Sequence, residues 1–244
     1  MKGSLSFFVF LATVAAADRT FTVKNNCAYT VWPGLFTDPA SGSAAPSQPT
    51  GWELGAGGTT TFSVSDNWTG GNIWARTGCN ASGQCATGEC KGGLQCTDGP
   101  SDSSPVTVAS FSLGGSQETD ITNVFITNGF NVPIGITNSA GCPTVSCATD
   151  LTANCPTQLQ FKDSTGTVVG CSSDCQISSD PTNSPACCTG SYSTPSTCPA
   201  RGVPHYSFFK NGCPEAVVYA FDETSSPLPC PGSNEAGYTV TFCP

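Results

Sequence analysis

Sixteen cysteines, all of them beyond the first seventeen residues, set the terms on which this 244-residue chain can fold. They are Cys27, Cys79, Cys85, Cys90, Cys96, Cys142, Cys147, Cys155, Cys171, Cys175, Cys187, Cys188, Cys198, Cys213, Cys230 and Cys243. An even number of thiols argues for a disulfide framework if the chain matures in an oxidising compartment. The N-terminus supplies that compartment. Lys2, an apolar run over 5–14 and the small residues Ala15, Ala16 and Ala17 read as a secretory signal cut before Asp18. No other apolar run approaches the length of a membrane span, so the expected product is soluble and secreted, extracellular or wall-bound, with no membrane insertion. A metal cluster is the competing use of so many thiols. It would want a reducing compartment, and only one histidine, His205, is present; neither metal nor cofactor is expected.

Charge narrows the partners. Cleavage removes Lys2 and no acid, leaving seven basic against seventeen acidic residues, a net charge of −10. That balance argues against nucleic acid and anionic lipid and tolerates neutral glycans or a basic protein. Two sequons, at Asn67 and Asn80, lie among turn-forming residues where a glycan could project.

The periodicity is that of strands. Phe21 and Val23 alternate with Thr20, Thr22 and Lys24; Phe62 and Val64 alternate within 59–65; the same period returns over 72–76, 106–113, 120–127 and 238–242. Residues 29–32 continue the β character until Pro33-Gly34 interrupts it. Residues 130–136 form a strand bent or placed at an edge by Pro133, and 217–221 are β-like. Two stretches differ. Residues 79–105 are Gly, Cys, Ser and Asp, with little to build a core. Residues 147–213 hold eight cysteines at short spacing, with a short helix expected over 146–154 and one helical turn over 205–210. Such regions depend on cross-links, while the remainder supports one all-β sandwich.

The stretch GQCATGECKGGLQC, Gly83 to Cys96, resembles the signature of thaumatin-like proteins through Gly83, Cys85, Thr87, Gly88, Cys90, Gly92 and Cys96. It departs from that signature at Ala81, where glycine is usual, and at Glu89, where aspartate is usual. NNCAYTVWPG, IWARTGC, GFNVPIGI, ACCTGSY, YSFFKNGCP and YTVTFCP resemble further family segments in the right order, so the likeness spans the mature chain. The resemblance implies the pairs Cys27–Cys243, Cys79–Cys85, Cys90–Cys96, Cys142–Cys230, Cys147–Cys213, Cys155–Cys171, Cys175–Cys187 and Cys188–Cys198. It also implies a single thaumatin-like domain over 18–244, expected as a monomer. Within it a β-sandwich (18–76, 106–147, 214–244) carries a small disulfide-stapled loop lobe (77–105) and a disulfide-rich lobe (148–213), with a cleft between the sandwich and the latter.

In the family that cleft is acidic. An arginine, a glutamate and three aspartates line it; many members bind β-1,3-glucan and some hydrolyse it weakly. By position the arginine is Arg76 and the last aspartate is Asp222, with Glu223 beside it. The glutamate is replaced by Ser110, and two aspartates by Asn123 and Asn128. Glycoside hydrolysis needs one carboxyl as acid and one carboxylate as nucleophile or base, and Ser and Asn supply neither. They do hydrogen-bond sugar hydroxyls. The expectation is therefore a binder of neutral cell-wall β-1,3-glucan, serving antifungal defence or wall remodelling, rather than an enzyme. A weak endo-β-1,3-glucanase and a protein-binding hydrolase inhibitor are the alternatives. Plainer roles stand beside these. Arg76 pairs with Asp222 to brace the lobes, Asn128-Gly129 is a turn dipeptide, Ser110 fills space, and His205 is a surface or packing residue. The four tryptophans are core or rim aromatics unless they stack on sugars.

Overall fold

β1 (Asp18–Asn25) turns Phe21 and Val23 inward and Thr20 and Thr22 outward, the expected alternation. The computed structural model describes residues 18–114, 118–222 and 228–244; the segment read as a secretory signal and Glu223 lie outside them. Eleven further strands follow in the described residues: β2 (Trp32–Thr37), β3 (Thr59–Ser65), β4 (Gly71–Arg76), β5 (Val108–Ser112), β6 (Thr119–Phe125), β7 (Ile134–Asn138), β8 (Val145–Cys147), β9 (Gln160–Lys162), β10 (Val168–Cys171), β11 (Leu228–Pro231) and β12 (Tyr238–Phe242). They form one five-stranded sheet ordered β3-β1-β12-β7-β8, a second ordered β11-β6-β5-β4-β2, and the hairpin β9–β10. One helix, α1 (Tyr206–Gly212), completes the regular elements among the described residues, apart from short 3-10 turns.

The two ends of the described chain meet in the first sheet. β1 and β12 run parallel with Phe21 opposite Tyr238, and the Cys27–Cys243 disulfide joins the chain just beyond the C-terminal ends of the two strands, across 216 positions of sequence. The structure pairs the other cysteines as Cys79–Cys85, Cys90–Cys96, Cys142–Cys230, Cys147–Cys213, Cys155–Cys171, Cys175–Cys187 and Cys188–Cys198. No thiol is left free.

Between the five-stranded sheets lies an aromatic centre. Phe21 packs edge-on against Trp68 (centroids 5.2 Å apart) and Phe111 (4.9 Å), with Tyr238 beside them. Burying each such ring contributes about 1.5–3 kcal/mol. At one end of this core sits a buried polar cluster. Arg19, 1% exposed, pairs with Asp66 and with Asp120 (3.2 Å) and donates to the carbonyl of Gly232 (2.9 Å). Tyr238 Oη donates to Asp120 at 2.8 Å, and the amide of Gly114 donates to the other Asp120 oxygen. Asp120 thus points into the core, opposite in direction to Asn123, as strand alternation requires.

Some expected elements differ. β2 runs straight through Pro33-Gly34 because it is an edge strand, where a missing N–H is tolerated. β7 begins just after Pro133 and lies inside its sheet. No helix forms over 146–154; β8 pairs with β7 there instead, and Cys147 is tied to Cys213. Of 217–221 only Val217 bridges a strand, at Phe125.

Segment 77–105 folds over one edge of the second sheet. Gly83 and Gly88 both have positive φ (+82° and +69°), and each is pressed against backbone. A Cβ on Gly83 would lie 2.2 Å from the amide nitrogen of Leu94, and one on Gly88 2.8 Å from the carbonyl oxygen of Ala75. Both positions therefore exclude side chains.

Candidate functional site

The second sheet has two faces, and its register sorts the site residues between them. Leu35, Ile73, Ala109 and Val124 point into the sandwich core. The opposite face carries Trp74, Val108 and Phe125 in one row, and Asn72, Ser110 and Asn123 in the next. Ser110 lies directly between Asn72 and Asn123 on adjacent strands, half-buried, where opposed side chains are about 5 Å apart. This row of amides and a hydroxyl can donate and accept hydrogen bonds without carrying charge.

The β6 end of this face opens into a cavity of about 280 Å³. Phe125 and Asn128 form its sandwich side; Asp174, Val203, Phe209 and Tyr219 are among the residues of its other walls. The cavity therefore lies between the sandwich and the cysteine-rich region. Ser110 and Asn123 share the strand face leading to it but do not line it.

Asn128 has two roles. It stands in a turn closed by the Gly129 amide on the Ile126 carbonyl (3.0 Å), with Gly129 at φ +75°. Its side chain also lines the cavity and donates to Asp102 Oδ1 at 2.7 Å, tying segment 77–105 to the rim.

Arg76 does not reach the cleft. It shares the outer face of β4 with Trp74, but segment 77–105 covers that part of the sheet and leaves Arg76 0% exposed. Its guanidinium donates to the carbonyls of Trp32 (3.0 Å), Pro33 (3.2 Å), Gly93 (2.9 Å) and Leu94 (2.9 Å). Burial lowers its pKa to about 10, so it remains a cation at neutral pH. Its partners are carbonyls of the edge strand and the covering loop, and it has no ion pair with Asp222. Asp222 is also displaced from its expected role. Buried at 7% exposure, it accepts from Lys210 Nζ (3.0 Å), Tyr206 Oη (3.0 Å) and the Val218 amide (3.0 Å), holding the wall behind Tyr219. Carbonyls of β2 and the covering loop engage Arg76, Lys210 and Tyr206 are among the partners of Asp222, and neither Arg76 nor Asp222 is among the residues lining the cavity.

A cavity carboxylate unseen in the sequence is Asp174. His205 Nδ1 lies 2.6 Å from one of its oxygens, and the His205 amide donates to the other at 2.8 Å. Gln158 Nε2 sits 2.7 Å from His205 Nε2. No local pattern links positions 158, 174 and 205; the disulfide-held loops bring them together.

Among the described residues, no set of three or more His, Cys, Asp or Glu side chains is placed to hold a metal ion, and no helix is long and apolar enough to cross a membrane. Trp68 and Trp74 are fully buried, while Trp32 and Trp52 are half-buried. Both sequon asparagines are exposed, though Asn80 Nδ2 is engaged by Gln84 at 3.1 Å.

Comparison with known proteins places this arrangement. The family model described as "Thaumatin family" matches residues 25–244. The chain belongs to the thaumatin family. Pathogenesis-related protein 5 of Arabidopsis thaliana is 38% identical, covering 98% of this chain and 96% of that protein. Thaumatin-like protein 1 of the same plant is 35% identical over 99% and 92%. A Prunus avium protein named glucan endo-1,3-beta-glucosidase is 37% identical over 99% and 96%. Within the thaumatin family frame, this chain carries the uncharged row Asn72, Ser110 and Asn123 on the strand face that leads to the cavity.

Proposed function

We propose that this is a secreted protein that binds cell-wall β-1,3-glucan without cleaving it, in antifungal defence or wall remodelling. The observation that carries the reading is the uncharged row Asn72, Ser110 and Asn123 leading to a cavity edged by Asn128. Hydroxyls of a neutral glycan need both donors and acceptors, and amides with a serine supply both. An apolar floor of Val108 and Phe125 suits the less polar face of a sugar ring.

Hydrolysis is the weaker reading, although one relative bears a glucosidase name. A retaining or inverting glycosidase sets two carboxyls across the scissile bond. Here Asp222 is engaged behind the wall, Asp174 has both oxygens bonded to His205, and Asp102 is exposed at the rim. None of them is the enclosed, uncommitted carboxyl that a general acid requires. The secretory signal and eight disulfides support an extracellular location; glycans at Asn67 and Asn80 belong to the same reading. The test is retention on insoluble β-1,3-glucan, run beside a reducing-sugar assay on soluble β-1,3-glucan. Retention without sugar release is expected. Failure to be retained overturns binding, and sugar release overturns the non-enzymatic reading.

A further inference from the structure

A second groove, of about 340 Å³, lies where five segments converge, residues 131–133 before β7 among them. Tyr29 comes from the stretch after β1, Gly78 and Ala86 from the covering loop, Asp150 from the stretch after β8, and Asp163 and Val168 from the β9–β10 hairpin. It shares no lining residue with the cleft. Tyr29 is 48% exposed, an unusual degree for a large aromatic residue in this chain. The negative charge of Asp150 is felt at its phenol: burial first, then Asp150, raises the Tyr29 pKa.

The polar groups of this groove are unevenly spent. Asn131 uses its amide nitrogen on the Ala75 carbonyl and Thr87 Oγ1, and its oxygen on the Thr107 amide. Thr77 Oγ1 is held by Thr87 Oγ1 at 2.7 Å. The carboxylates are less committed. The hydrogen bond accepted by Asp150 and the three accepted by Asp163 all fall on Oδ1, from Thr152, Thr165 and Thr167. The hydrogen bond to Asp150 leaves its Oδ2 unengaged, while the Asp163 carboxylate is also approached by the Gly166 amide. Among the described residues, no lysine, arginine or histidine lines the groove. The groove thus offers negative acceptors, an aromatic ring and apolar walls, with few donors. A neutral sugar would find acceptors without matching donors, whereas a cation brings its own.

We propose that this groove is a docking site for an arginine side chain presented by a basic protein partner. The aliphatic stem lies along Ala86, Pro133 and Val168, the guanidinium meets Asp150 and Asp163, and the Tyr29 ring supplies a cation–π contact. The net charge of −10 on the mature chain draws such a partner from a distance. Arginine fits better than lysine, because its planar head can stack on a ring while donating sideways to carboxylates.

The test is an amide-resolved NMR titration of the full mature protein with acetyl-Gly-Arg-Gly-amide, against the same peptide carrying neutral citrulline. The arginine peptide is expected to give saturable shifts at Gly78, Thr152, Val168 and Val169, at least tenfold weaker with citrulline. Tyr29→Ala and Asp150→Asn, both at exposed positions, should each weaken binding about two- to fivefold. An unchanged spectrum elsewhere verifies their fold. Shifts absent from these amides, equal shifts with citrulline, or tighter binding there of a glucosamine trimer would each overturn the proposal. None of these outcomes depends on glucan binding at the cleft.

Discussion

Arg76→Leu separates a structural arginine from a ligand-binding one. In the folded chain this side chain is wholly buried and satisfies four backbone carbonyls, two on β2 and two on the covering loop. Hydrogen bonds from a charged donor contribute about 1.5–3 kcal/mol each, a gross of roughly 6–12 kcal/mol. Against this stands the desolvation of the guanidinium. The lowering of its pKa to about 10 corresponds to roughly 3 kcal/mol at 1.36 kcal/mol per pK unit. Water entering the vacated space re-solvates part of the freed carbonyls. The expected net loss is about 3–5 kcal/mol, the gross hydrogen-bond contribution less the desolvation and the re-solvation of the freed carbonyls. Arg76→Lys keeps the charge but offers three donors on a compact head, and should lose about 2–3 kcal/mol. Guanidinium denaturation with disulfides intact, followed by tryptophan fluorescence, reads both. The same variants, assayed where they remain folded, should be retained on β-1,3-glucan within about twofold of wild type, because the side chain does not reach the cleft. A stability loss below about 1 kcal/mol, or lost retention in a fully stable variant, would refute the reasoning.

Other predictions follow from the same geometry. Arg19→Ala strips Asp120 and Asp66 of their buried cation and should cost about 3–5 kcal/mol in the same denaturation experiment. The Tyr238 phenol, whose pKa is raised by burial and then by its hydrogen bond to Asp120, should stay protonated beyond the normal tyrosine range. The unfolded phenol ionises near pH 10, so stability contributed by Tyr238 is complete below that pH and falls as pH rises above it. Phenolate absorbance should therefore show a tyrosine that titrates only with alkaline unfolding, and Tyr238→Phe should remove that step. Ser110→Asp with Asn123→Asp sets two carboxylates directly opposite each other. The pair should lose about 0.2–1 kcal/mol at neutral pH, regained on acidification as one carboxyl protonates.

Strand periodicity carried most of the architecture, because alternation at β1, β3 and β12 reports directly which face is buried. It failed where tertiary context decides. Pro33-Gly34 reads as a break, yet an edge strand does not need the missing N–H. Residues 146–154 read as a short helix, yet β7 offers a partner strand and Cys213 an anchor. At the site, register placed Ser110 and Asn123 opposite each other on one face, a consequence of period two. Alternation also put Arg76 on that face, but nothing local says that segment 77–105 folds over it. Asp222 was legible as an acid and illegible in its partners, since Lys210 and Tyr206 reach it from a helix. The Asp174–His205–Gln158 set joins residues up to 47 positions apart and had no sequence signal.

The central claim is that the uncharged strand face and its adjoining cavity bind glucan and leave it intact. An amide-resolved titration of the mature protein with a soluble β-1,3-gluco-oligosaccharide, with reducing ends counted in the same sample, tests this most directly. The account predicts saturable shifts at Ser110, Asn123 and Asn128, none centred on Arg76, and no increase in reducing ends. Shifts confined to other surfaces, or reducing ends that accumulate with time, would contradict it.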